Sequence, residues 1–350
     1  MSEKTVYMWP KISPHNKYTE LLSRSIERRG LRVAHYDRKA MFKPGKGDIV
    51  HMHWPSYTYQ ASVFPLTLAK SLFFMALLYA YKSRGVRLYW TIHNIWPHNG
   101  KSRWDALMRR RLLRLCDSAF VLSDSVRREA AAAFGTREDR LVVTPHGHYV
   151  GAYSGRGTDI RSRFGIPRDR FLFLFIGRIN PYKGVDRLIE AYRRLEPGTG
   201  ALLIAGQADS GYPLESLAAG DDSIKVHPEF VDDGELSDFM EAADAVVLPY
   251  RQITTSGSAI LALSYKKPVV APRLGSLGEY VSEGCGVLYD PDDPDGLRKA
   301  LLEAAKLDKE ETEKRIEAKL GELDWDRIAG KMMRVYDGSA DGSARQEVRA

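Results

Sequence analysis

Cysteine is scarce in this chain: 350 residues carry two, Cys116 and Cys285. Neither lies in a CxxC or Cys/His pattern, so no zinc site and no disulfide framework is expected, and a reducing cytoplasm fits. The usual phosphate motifs are missing too. There is no GxxxxGK[ST] of an NTPase, no GxGxxG after the first apolar run, and no Asp-x-Asp that would hold a metal-bridged diphosphate. No RNP, KH, helix-turn-helix or finger pattern marks a nucleic-acid module. The opening MSEKTVYMWP lacks the apolar core of a signal peptide, so secretion is not expected. No repeat at a solenoid period is visible.

What is present is first an imbalance of charge. Residues 1–150 hold 25 Lys+Arg and 11 Asp+Glu, a net +14, while residues 151–350 hold 27 and 34, a net −7. A basic half of this size points to an anionic partner: anionic lipid, a pyrophosphate substrate or nucleic acid. The second feature is alternation. TVYMWP, GDIVHMHWP, RLYWTIHN, DSAFVLS and RLVVTPHG read as strands separated by amphipathic stretches, and RFLFLFIGR, ALLIAGQ, SIKVHPEF, DAVVLPY and PVVAP repeat the pattern. Strands alternating with helices imply βαβ units and parallel sheets. The reading is α/β with two domains, 1–150 and 151–336, the last helix free to pack back on the first domain. A disordered tail is expected over 337–350.

Residues 62–85 stand apart as SVFPLTLAKSLFFMALLYAYKSRG. The apolar run is long enough to span a bilayer. Pro65, Lys70 and its place between two strands of one domain argue instead for a buried core helix or a helix with one face toward lipid. The latter is helped by Lys82, Arg84, Arg87 and the MRRRLLRL run, in which Arg109, Arg110 and Arg111 are expected to face anionic lipid.

Two stretches carry the strongest chemistry. In FIGRINPYKGVDRLIEAY a strand ends, Arg178 and Lys183 follow, and a helix begins; two cations and a helix start suit a diphosphate. In VVLPYRQITTSGSAILALS a hydroxyl-rich loop opens an apolar helix, where Gly257 lets a ligand approach the backbone. Candidate donor contacts are Arg178, Tyr182, Lys183, Tyr250, Thr255, Ser256, Gly257, Ser258 and Glu279. In the first half six of the nine histidines, His51, His53, His93, His98, His146 and His148, cluster around strand ends. Their spacing is not HxxxH and no carboxylate or cysteine is near, so a metal is not expected. A role in proton transfer competes with a purely structural one.

These motifs resemble known ones. The second half is similar to the group 1 glycosyl transferases (family 4) in its GRxxxxKG element and PVVA strand. At the positions of that family's Glu-x7-Glu pair stand Ile253 and Leu261. HNKYTELLSRSI, GDIVHMHWPSY, TIHNIWPHN, HGHY, INPYKGV, LPYRQ and SGSAILALS, in order along nearly the whole chain, resemble glycosyltransferase family 94, the xanthan-type β-mannosyltransferases. The resemblance implies a GT-B fold, two Rossmann-like domains facing each other across a cleft. It also implies inverting transfer of mannose from GDP-mannose to a polyprenyl-diphosphate-linked oligosaccharide in exopolysaccharide assembly, without cofactor or metal. The enzyme would be peripheral on the inner face of the cell membrane. His93 is the candidate base with His53 second; His15, Trp54, His98 and His148 are candidate contacts to the sugar acceptor. Two other readings stand beside it: retaining transfer from another nucleotide sugar, and a non-catalytic nucleotide-sugar or glycan binder.

Overall fold

The computed structural model describes residues 4–13, 16–96, 102–281 and 284–338, which form two compact units. The first begins with β1 (Thr5–Trp9), α1 (Tyr18–Arg28), β2 (Arg32–His35), β3 (Ile49–Met52), α2 (Ser56–Tyr59) and α3 (Phe64–Ser83). It continues with β4 (Arg87–Ile92), α4 (Arg103–Leu115), β5 (Ser118–Val121), α5 (Asp124–Phe134) and β6 (Leu141–Val143). Its strands are all parallel in the order β2-β1-β3-β4-β5-β6. Alternate residues of each strand enter two apolar layers. Val6, Met8 and Ile49 pack under α1; Val50, Met52, Trp90 and Ile92 pack with Phe74, Leu78 and Leu112 of α3 and α4. A parallel sheet is stable only when both faces are covered in this way.

The second unit holds α6 (Ile160–Arg163), β7 (Leu172–Ile176), α7 (Val185–Arg193), β8 (Ala201–Ala205), α8 (Leu214–Ala218), β9 (Ile224–His227) and α9 (Asp233–Ala242). After them come β10 (Ala245–Val247), α10 (Gly257–Ser264), β11 (Val269–Pro272), α11 (Leu277–Tyr280), β12 (Gly286–Tyr289), α12 (Gly296–Ala304) and α13 (Lys309–Glu322). Its parallel order is β12-β11-β10-β7-β8-β9, the doubly wound order in which the chain reverses direction between β7 and β10. Ligands of such sheets bind beyond the carboxyl ends of the strands at this switch.

The last helix, α14 (Trp325–Asp337), belongs to the first unit, whose described residues run up to Gly147 and from Leu323 to Gly338. The sequence reading puts 323–336 with the second domain but leaves the last helix free to pack back on the first; here that helix groups with the first unit, and the unit boundary falls at Gly147/His148. Apolar periodicity explains the return: Trp325, Ile328, Ala329, Met332 and Tyr336 form one buried stripe with Leu22 and Ile26 of α1. Of the tail expected to be disordered, Asp337 closes α14 and Gly338 caps it; residues 339–350 lie outside the described residues.

Candidate active site

At the switch of the second sheet, the loop after β7 and the loop after β10 meet. Gly184 has φ +70°, and a Cβ there would lie 2.0 Å from the carbonyl oxygen of Pro249, so only glycine permits the two loops to close. Arg251 N–H donates to Tyr182 O at 2.9 Å and fastens them further. Beside this junction the Lys183 ammonium sits 3.8 Å from the ring centre of buried Tyr250. Burial raises the pKa of the Tyr250 phenol. The Lys183 charge and hydrogen bonds with Ser258, Ser256 and Lys183 outweigh burial and bring it below its ordinary value of 10.0. Lys183, Tyr250, Ser256 and Ser258 are thus one polar cluster at the start of α10. Ser256 caps that helix, accepting from Ala259 N–H at 3.2 Å. Thr255 Oγ1 next to it is buried with no protein partner, a hydroxyl that a ligand would satisfy. The segment bearing Glu279 is tied to the same loop through Ser276 N–H to Thr254 O, 3.1 Å.

Arg178 Nε bonds Asp209 Oδ1 at 2.6 Å beyond β8, while the Lys183 ammonium lies over the Tyr250 ring after β10. The helix start after Lys183 is not an anion seat, because Asp186 occupies the first turn of α7 and pairs with Arg251; α10 has no acid in its first turn. Gly257 is exposed, and a Cβ there would meet only Tyr149 Oη at 3.6 Å, so no protein contact requires glycine at that position. The glycine that matters, Gly184, sits in the GRxxxxKG element. Its contact with Pro249 is 65 residues away in sequence and no local pattern announces it.

In the first unit the carboxyl ends of β3 and β4 bring His53 and His93 together, with His53 Nδ1 and His93 Nε2 at 3.0 Å. His53 Nε2 lies 2.9 Å from Met8 Sδ. A thioether can only accept, so His53 donates from Nε2 and its Nδ1 accepts from His93 Nε2–H. Neutral His93 then keeps its lone pair on Nδ1, the tautomer a base requires. Burial, with His51 and His93 nearby, pushes His53 well below 6.5; burial, with His146 and His51 nearby, does the same to His93. Trp54 stacks on His93 with ring centres 4.6 Å apart. Both line a pocket of about 80 Å³ with His53, Gln60, Trp90 and Arg109. His51 and His146 are structural: His51 bonds Tyr336 Oη at 2.5 Å and Thr91 Oγ1 at 2.8 Å, and His146 Nδ1 bonds Gly147 O at 2.8 Å. His148 belongs to the second unit. His15 and His98 lie outside the described residues.

Family models match both halves, "Glycosyltransferase Family 4" over residues 17–149 and "Glycosyl transferases group 1" over residues 170–306. The chain is a glycosyltransferase, with a family 4 domain followed by a group 1 domain. This transferase is 29% identical over 305 residues to a GDP-mannose:glycolipid 4-beta-D-mannosyltransferase of Xanthomonas campestris pv. campestris, covering 83% of this chain and 79% of that one. It is 32% identical over 248 residues to the D-inositol 3-phosphate glycosyltransferase of Xylanimonas cellulosilytica, covering 62% and 56%. Among solved structures, Anabaena HepE in complex with UDP superposes with TM-score 0.70 at 16% identity, covering 96% of this chain and 100% of that one. Sucrose-phosphate synthase of Thermosynechococcus elongatus superposes with TM-score 0.69 at 16% identity, covering 97% and 100%. The fold is GT-B. At the sites of the Glu-x7-Glu pair the transferase has half-buried Ile253 in the loop and buried Leu261 inside α10.

Proposed function

We propose that this glycosyltransferase moves mannose from GDP-mannose to a polyprenyl-diphosphate-linked glycan, with inversion, at the inner face of a cell membrane during exopolysaccharide assembly. The cluster of Lys183, Tyr250, Ser256 and Ser258 at the start of α10 carries the donor half of the reading. A diphosphate there gains the Lys183 charge, the first-turn N–H groups of α10 and the unpartnered Thr255 hydroxyl. Arg178, exposed and held by one carboxylate, can exchange Asp209 for phosphate. This charge stabilises the leaving GDP without need of a metal. The mannosyl donor and the inversion rest on the relative named for GDP-mannose and a β-linkage.

In the proposed step His93 Nδ1 takes the proton of the attacking hydroxyl as the new C–O bond forms and the bond to GDP breaks. The imidazolium so formed donates from Nε2 to His53, which spreads its charge. The exposed apolar face of α3 and the arginines of α4 would hold the lipid-linked acceptor's membrane. Retaining transfer from another nucleotide sugar is the second reading, favoured by the inositol phosphate transferase relative and opposed by Leu261 where that chemistry has a glutamate.

Calorimetric titration with GDP tests the donor site. Lys183→Ala and Arg178→Ala should each weaken binding by about tenfold to a hundredfold, the worth of one charged hydrogen bond, with the thermal midpoint preserved. Unchanged affinity in both variants overturns the assignment.

A further inference from the structure

A histidine base is ordinarily oriented by a carboxylate, which also steadies the charge the ring acquires. Among the described residues no carboxylate bonds His93 or His53. His93 Nε2 meets His53 Nδ1 at 3.0 Å, and His53 ends on the sulfur of Met8, a neutral acceptor. The sequence contains no Asp or Glu from Ile49 to Trp104. Asp105, the next acid, is taken up by Tyr59 Oη at 2.9 Å, by Gln60 Nε2 at 2.9 and 2.8 Å, and by Ser102 Oγ at 3.0 Å. The other titratable groups around His93 are His51 and His146, whose charge disfavours its own, Tyr18 of α1, and Arg109, which lines the same pocket. A proton arriving on His93 therefore meets basic or neutral neighbours in a desolvated place, where an uncompensated charge is costly.

Two aromatic rings remain beside it. β3 and β4 are paired neighbours with Met52 opposite Trp90, so the chain leaves the two strands with Trp54 and His93 side by side. Their rings stack with centres 4.6 Å apart and planes 22° from parallel, and Tyr18 meets the His93 ring at 4.7 Å and 84°. The face of an indole carries negative π charge. A neutral imidazole gains packing from it, whereas an imidazolium gains a cation–π attraction that is larger where water is excluded. The contact therefore strengthens as the proton is transferred, which is what accelerates a step rather than merely binding a substrate. We propose that Trp54 is a positioning residue for His93, its indole face fixing the imidazole and stabilising the charge that ring gains, while Tyr18 sets the tilt of the ring. Trp54, expected from sequence to contact the acceptor, then serves the base instead. The proposal rests on the reading of His93 as the base.

Two rings of nearly equal shape at position 54 separate charge from packing. Trp54→Phe keeps a negative π face; pentafluorophenylalanine placed there by nonsense suppression reverses it at similar size and burial. Nitrogen NMR of the whole protein with labelled histidine, assigned through His93→Gln, follows the His93 ring without any substrate. Weaker support for the charged ring lowers its pKa, so His93 should titrate about one pH unit lower in the pentafluoro form than in Trp54→Phe. With GDP-mannose and a polyprenyl-diphosphate-linked glycan, the pentafluoro form should show kcat about three- to tenfold lower, an unchanged acceptor KM, and an acid limb of kcat/KM displaced to lower pH. Where that limb falls below the pH at which the fold is lost, kcat at neutral pH decides. Equal titration and equal kcat in the two forms, or a change confined to acceptor KM, overturns the proposal and returns Trp54 to the acceptor. Near-normal kcat in His93→Gln strikes the base reading itself. A slow His93→Gln beside equal kcat in the two forms at position 54 strikes only the role of Trp54.

Discussion

His53 and His93 share a hydrogen bond in a desolvated pocket, and desolvation penalises the charged form of each ring. If His93 is the base, kcat/KM stays level as the pH is lowered through 6.5, and its acid limb lies lower. His93→Gln should cut kcat by roughly 10²–10⁴ with GDP affinity unchanged. A limb centred near the ordinary histidine value of 6.5, or near-normal kcat in the variant, contradicts this. The same burial sets acid stability. His146 is pushed down to about 4 and His51 to about 3, so below 6.5 the unfolded chain takes up protons that the folded one refuses. Stability is full above that pH and falls steadily as pH drops toward those values, which urea midpoints at successive pH values will show. That histidines gather at strand ends is legible in the sequence. Which of them pair, and which are structural, depends on Met8, Tyr336 and Thr91, residues supplied by distant parts of the chain. Arg109 shows the same limit: three adjacent arginines look alike until the helix turn sends one inward.

Among elements, α3 is the one that both its length and its composition set apart. Of the described helices it alone is long and apolar enough to cross a membrane by length and composition. It lies in the first unit with one face buried through Phe74, Leu78 and Tyr81, and its Lys70 ammonium donates to Gln60 O at 2.8 Å. Its other face leaves Phe64, Leu66, Leu72, Phe73 and Tyr79 exposed. Trp104 of α4 donates to Ser71 at 3.0 Å and packs on Phe64, so α4, which carries the exposed Arg103, Arg110, Arg111 and Arg114, lies beside α3. Apolar contact beside cations is the composition of an interfacial anchor. Flotation with vesicles should show binding to anionic lipid that salt weakens. Leu72→Asp with Phe73→Asp should abolish it, since each buried side chain is worth about 1.5–3 kcal/mol, without loss of fold because both are exposed. Equal binding to neutral and anionic vesicles, or full binding by the double variant, contradicts the anchor. Sequence composition identifies this helix, but its two faces are both apolar, so no periodicity distinguishes the packed side from the open one.

On the scale of the whole molecule, alternation of apolar strands and helices is enough to read two parallel α/β units, although β2 passes directly to β3 and α2 to α3. The sequence leaves α14 free to return to the first unit but does not name its partners, since those on α1 lie some 300 residues earlier. The two strand orders decide where chemistry can occur: the switch between β7 and β10 gathers Lys183, Tyr250 and Ser256, and the ends of β3 and β4 gather His53 and His93. The central claim is that these two places serve one inverting transfer of mannose. It is tested most directly by incubating the enzyme with α-linked GDP-mannose and a polyprenyl-diphosphate-linked glycan, then reading the anomeric coupling of the product by NMR. The account predicts a β-mannoside; an α-mannoside, or no transfer of mannose while another nucleotide sugar is consumed, would contradict it.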